Sequence, residues 1–333
     1  MLNFELLKRF NHKNNRTILE NGKPWARFIL LSKDDPLREI IKQDLLFHPE
    51  IKKVIERMYD PDLGINSCTK LPADYRIYGS FYWGLRFLAD IGLTGKEWLM
   101  EPLIKKLQLQ QFEHGQFLIR YHRKRQQTIS LVCITAHLTY CLIRLGYAES
   151  PTVKTALDFV LSTQRRDGGW HCDLLKQVGE RDESAPSCLA ANIHVIRVLG
   201  QYGNKYKSVA KPAIKQCLKF FEVPIIQICI YNTEQNFNLN KLRYPPHYTG
   251  LDILNVVHSL SYFADLLSNS HYDVMINSIL NNWDGESWLR SGKRIPNWSG
   301  FDFCKKSGYS EWITSLFLQS IDRVYFMKQE EKK

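Results

Sequence analysis

Leu161-Ser-Thr-Gln164-Arg-Arg-Asp167-Gly168-Gly169-Trp170-His171-Cys172-Asp173 is the stretch that decides how this chain is read. Residues 151–165 place apolar side chains at helical spacing, and the pattern stops near Gln164. Two glycines follow, and glycine takes a positive φ without the penalty a Cβ brings. An aromatic residue comes next, and the chain then leaves through His171 and Cys172. A helix, a tight glycine turn and a departure toward a second helix outline one helical hairpin.

The hairpin recurs. Ile134 to Gly146 and Cys188 to Gly200 align without a gap, 54 residues apart, and Ser80 to Gly92 aligns with them 54 residues earlier. Gly92, Gly146 and Gly200 stand where a helix C′ residue needs a positive φ. Gln111-Phe-Glu-His-Gly115-Gln-Phe117 repeats the turn at a shift of 53. Asp284-Gly285-Glu-Ser-Trp288 is a later copy, and Asp60-Pro-Asp-Leu-Gly64 a degenerate earlier one. Self-similarity at a fixed period of this size marks stacked units that share a core. The spacing predicts outer helices over 37–58, 96–111, 151–165, 207–222 and 271–283. It predicts inner helices over 76–91, 130–145, 187–201, 250–267 and 309–326. The inner set is the more apolar and is expected to be buried on more sides. An insertion over 223–248 replaces the fourth turn, and such insertions tend to fall on one face of a repeat array. Within it, Ile225–Ile230 reads either as a short strand or as an extended cover segment.

Composition bounds function only loosely. The chain has 333 residues, 44% of them hydrophobic, enough for a large core in a single domain over 1–333. That domain divides into an N-terminal helix and arm (1–35), the repeats (37–326) and a solvated tail (327–333). The net charge of +11 is compatible with an anionic partner. Lysines on exposed helix faces are the preferred explanation, and nucleic acid is not the expected partner. No apolar run reaches the ~18 residues that cross a bilayer, and the N-terminus lacks the apolar core of a signal peptide. Eight cysteines, none in a CxxC, suit a reducing, cytoplasmic setting. There is no P-loop and no GxGxxG, and Ser187 and Ser310 have no visible His/Asp relay. His137 and His194 fall at different places in the aligned helices and read as core residues.

The turn Gln-x-x-Asp-Gly-Gly-Trp after an amphipathic helix resembles the repeat of the terpenoid cyclase and protein prenyltransferase superfamily, also called the prenyltransferase and squalene oxidase repeat. There the glycines reverse the chain, and the aromatic ring packs beside the glutamine to tie neighbouring hairpins. The resemblance gives those roles to Gln164, Gly168, Gly169 and Trp170. Gln111, Gly115 and Phe117 form a weaker copy, and Gly285 with Trp288 a third. It covers residues 37–326 and implies an all-α fold, an α/α toroid of about five helical hairpins with an apolar cavity at one end. It does not fix an activity. The DxDD acid of the cyclases is absent, so proton-initiated cyclisation lacks its acid. No DDxxD motif is present either, since Asp34-Asp35-Pro36 does not continue into one.

In this register Cys133, Cys188, His247, Asp252 and Glu311 all fall at or near the starts of inner helices, on one lip of the barrel. Prenyltransferase β-type subunits keep a zinc in a comparable place. The resemblance implies Cys188 as thiolate ligand and His247 as imidazole ligand. Pro186 stands where the family has its aspartate, and Cys172 takes the vacant role, with either Cys133 or Asp252 as a fourth donor. These donor types suit zinc. The alternative is that the thiols are small buried hydrophobes. His171 ranks below Cys172 as a ligand and reads as a solvated loop residue. Lys176 and Arg181, with Arg123 and Arg125 one repeat earlier, are the expected anion-binding residues. Tyr82, Trp83, Tyr140 and Trp312 are the expected cavity wall. Together these imply a transferase acting on an isoprenoid or lipid-like molecule, with zinc and a separate protein partner. The competing expectation is a toroid scaffold that binds a ligand or a protein without catalysis.

Overall fold

The computed structural model describes residues 2–59, 79–95, 100–120, 128–171, 187–219, 242, 244–245, 252–267, 270–291, 296–304 and 308–326. The chain opens with α1 (Phe4–Asn21), α2 (Pro24–Leu30), α3 (Leu37–Phe47) and α4 (Pro49–Met58). Next come α5 (Phe81–Ile91), α6 (Glu101–Gln108), α7 (Val132–Leu142), α8 (Pro151–Ser162), α9 (Leu189–Gly200) and α10 (Lys207–Lys219). The last three are α11 (Ile253–Leu260), α12 (Ser270–Leu280) and α13 (Glu311–Ile321). Among the described residues the fold is all-α apart from a three-residue antiparallel hairpin of β1 (Leu118–Arg120) and β2 (Thr128–Ser130), in which Ile119 pairs with Ile129.

The expected outer and inner helices are found in the expected order, with three corrections. The outer helix expected over 37–58 is broken into α3 and α4. Pro49 lacks an N–H and disfavours helical backbone before it, so His48 is extended at φ −66°, ψ 129°. Gly200 does not stop its helix in the left-handed region. It ends α9, Gln201 continues right-handed, and the positive φ falls on Gly203 at 58°. Gly92 and Gly146 do take it, at 90° and 94°. The strand pair β1–β2 is the third difference, at the mouth of a segment expected to be plain loop.

Two compact units emerge, one of residues 1–52 with 236–333 and one of residues 53–235. In the second, α7 lies between α5 and α9, while α8 packs on α7 and α10 on α9. Every residue of α5 is buried, as is every residue of α9 up to Leu199, whereas α8 buries only Val153, Ala156, Leu157 and Val160. That contrast is the inner/outer distinction read from the sequence. In the first unit, α13 packs on α2, α11 and α1, and α12 on α11. The Gln319 amide donates to the Ile29 carbonyl at 2.7 Å, 290 residues away in sequence. Side-chain caps set several starts: Ser150 accepts from Val153 N, Asp252 from Asn255 N and Ser310 from Ile313 N.

The glycine turns show how successive hairpins are fastened. Gly168 sits at φ 83°, and a Cβ there would come within 2.5 Å of the Pro212 side chain. Gln164 Nε2 donates to the Gly168 carbonyl (2.9 Å) and to Val209 (3.0 Å) in the first turn of the next outer helix, α10. Gln111 repeats this one hairpin earlier, donating to Gly115 (2.9 Å) and to Thr152 (2.7 Å) in the first turn of α8. The backbone N–H after the turn then meets a polar side chain of the inner helix. Phe117 N donates to Thr135 Oγ1 at 3.1 Å, and Trp170 N to Asn192 Oδ1 at 2.7 Å. In the third copy Leu289 N donates to Thr314 Oγ1 at 2.9 Å. There the buried residue is Leu289, not the expected Trp288, which is half-buried. The third turn is longer before its exit, which shifts the inward position.

Candidate functional site

The expected lip is only partly within the described residues. Cys188 is the buried N-cap of α9, and its N–H donates to the Trp170 carbonyl at 2.7 Å. Cys133 is the second residue of α7 and is half-buried, and Asp252 caps α11. Each of these stands at an inner-helix start, as the register predicts. Glu311 turns toward α2 instead, where its carboxylate accepts from the Lys23 backbone N–H at 2.6 Å. His171 is buried rather than solvated, because the chain beside it runs back onto the start of α9. Cys172, His247, Lys176, Arg181, Arg123 and Arg125 lie outside the described residues. Among the described residues no three His, Cys, Asp or Glu side chains group as a metal site. Of the implied zinc donors, those described are Cys188, Cys133 and Asp252.

The expected wall residues fall into two groups. Trp312 is buried in the first unit, edge-on to Tyr244 at 5.4 Å, with its backbone N–H donating to Asp302 at 3.2 Å. Tyr82, Trp83 and Tyr140 belong to the second unit and surround a polar cluster that spans α5, α7 and α9.

That cluster is the most chemically distinctive feature of the described residues. α5 presents Tyr82, Arg86 and Asp90 at four-residue spacing, hence on one face. α7 contributes His137 and Tyr140, and α9 contributes His194 and Arg197. All seven are buried. Arg86 Nε reaches both oxygens of Asp90, at 2.8 and 2.7 Å, and the Tyr140 hydroxyl donates to Asp90 at 2.7 Å. The Arg86 and Arg197 guanidiniums lie 4.9 and 5.6 Å from the Tyr140 ring centre, which places both cations on its π system. The His137 ring stacks on Tyr82 at 3.6 Å and meets His194 edge-on at 5.4 Å.

The two imidazoles are neutral near pH 7. Burial pushes the His137 pKa well below its ordinary value, His194 and Arg86 push it further, and only the Tyr82 carbonyl opposes. Burial, Arg197 and Arg86 do the same to His194. His137 Nε2 faces the Tyr82 carbonyl at 3.2 Å, so it carries the proton, and Nδ1 is left with a bare lone pair. Among the described residues, neither His137 Nδ1 nor His194 Nδ1 has a hydrogen-bond partner. Buried polar atoms are nearly always satisfied, so two unpartnered ring nitrogens on neighbouring imidazoles stand out. Burial also raises the Cys141 thiol far above its usual range, which leaves it a hydrophobe.

A signal for this cluster was present in the repeat. Arg86, Tyr140 and His194 are 54 residues apart in succession, the same position in three consecutive inner helices. An Arg, a Tyr and a His at one core position make a polar column through an otherwise apolar stack.

No family model matches the chain, and no curated protein sequence matches it. Among solved structures, a crystal structure of a protein from Actinoplanes aligns with 83% of this chain and 98% of its own length, at 10% identity and a TM-score of 0.33.

Proposed function

We propose that this chain is an α/α toroid of the prenyltransferase and squalene-cyclase kind that binds an isoprenoid or lipid-like molecule by its anionic head. The observation that carries the reading is the buried column of Arg86, Tyr140 and His194 with Arg197, set among the aromatic rings of Tyr82 and Trp83. Guanidiniums on aromatic faces suit an oxyanion, and the apolar inner helices suit a hydrocarbon tail. The repeated glutamine ties support the toroid, since each fastens one turn to the next outer helix in a constant sense. Binding, rather than group transfer, is the better supported half of the expectation. Titration calorimetry of the purified full chain with farnesyl diphosphate and with decanoate tests it. Saturable binding, weakened at least tenfold in Arg197→Met, is expected. Heats that never saturate for either probe overturn the reading.

A further inference from the structure

We propose that the His137–His194 pair is the head-group contact of this site, and that it takes an oxyanionic head together with one proton. The inference rests on the binding reading above and specifies its chemistry. It stands first on geometry: two buried rings 5.4 Å apart, each with an Nδ1 that has no partner among the described residues. The Tyr82 carbonyl fixes the His137 tautomer, so the free Nδ1 accepts and cannot donate. A bare anion offers only acceptors and is repelled by that lone pair. The same anion with a proton fits, as an acid O–H donating to Nδ1 or as an oxyanion accepting from an imidazolium. The two descriptions differ only in where one shared proton rests, and both require its uptake from solution.

The surroundings set the sign. The cations acting on the imidazoles are Arg86 from α5, itself paired with Asp90, and Arg197 from α9, and His137 also feels His194. α8 meets α7 through apolar side chains. In the free protein burial, reinforced by the two guanidiniums, holds both imidazoles neutral. An arriving negative charge cancels that repulsion and favours the proton. Binding and protonation are therefore reciprocal.

Calorimetry with decanoate and with farnesyl diphosphate, each in two buffers of different ionisation heat, reads the proton count directly. Inorganic phosphate alone serves as the tailless comparison. About one proton taken up per decanoate is expected, with affinity falling about tenfold for each pH unit between 6.5 and 7.5. His137→Gln keeps a donor toward Tyr82 and should flatten that slope. If this variant fails to fold, the wild-type count decides alone. Binding with no proton uptake and a flat pH profile overturns this inference while leaving the binding reading intact. Failure of both probes to bind overturns both. Preference for decanoate over the diphosphate identifies a carboxylate head, and the reverse a phosphate head.

Discussion

The Gln164 side chain donates to the Val209 backbone carbonyl across 45 residues of sequence, and the same amide group also closes its own turn on Gly168. One side chain thus secures both the reversal of the chain and the position of the next outer helix. Gln164→Ala strips both carbonyls of their donor. A loss of about 1–3 kcal/mol is expected, since the acceptors are partly buried. Urea denaturation checks this, and an unchanged midpoint would show that the tie carries no weight.

Glycine at Gly168 answers two demands at once, and Gly203 only one. Both take positive φ, but a Cβ at Gly168 runs into Pro212, whereas at Gly203 nothing lies within 4 Å. Gly203→Ala should cost about 1 kcal/mol from backbone strain alone. Gly168→Ala should cost at least about 2 kcal/mol, because α10 must also shift. Thermal melts of the two variants side by side separate the terms, and equal losses would refute the steric part.

Asp90 is the carboxylate on which Arg86 and Tyr140 converge. Removing one partner of a buried pair leaves the other charge stranded, so Asp90→Ala is expected to lose about 3–5 kcal/mol. Replacing both partners with apolar residues, Arg86→Met with Asp90→Leu, should recover most of that loss. A double variant as unstable as the single one would mean that the pair does more than satisfy itself.

Acid should weaken the fold through its histidines. His137 and His194 are depressed below their unfolded value of about 6.5, so the unfolded chain binds protons that the fold refuses. Their contribution is full above that pH and is lost as pH falls. Asp322 acts in the opposite sense. Burial raises its pKa to about 6, so the fold takes up its proton first and gains stability below that pH. Between pH 7.5 and 5.5 the two histidines therefore lower the stability, and Asp322 offsets part of that loss. Denaturation at the two pH values measures it, and His137→Gln should remove about half of the histidine part. A stability that does not fall between those pH values would contradict the buried neutral pair.

Much of the architecture was legible because hairpin repeats write themselves into the sequence at two scales. Helical spacing gives each rod, and the 54-residue shift gives the register of Ser80–Gly92, Ile134–Gly146 and Cys188–Gly200. The failures are local. Nothing in the alignment distinguishes Gly200, which stays helical, from Gly92 and Gly146, which do not. Trp288 is the larger aromatic, yet the extra length of its turn brings Leu289 inward. The site was harder to see. Thiols at the helix starts stand out in the register, whereas His137 and His194 occupy different positions in it. Their rings meet only because α7 and α9 pack side by side. Periodicity assigns a residue to a face, but it does not say which neighbour that face meets.

The hydrogen bond from Gln319 to Ile29 has a consequence for how the molecule is made. Its two ends leave the ribosome 290 residues apart, which at ~5–20 residues per second is roughly 15–60 s of synthesis. Throughout that interval α1 and α2 have no α13 to cover them, while residues 53–235 emerge as one uninterrupted block. The middle of the polypeptide is therefore free to fold first, while α1 and α2 wait for α13.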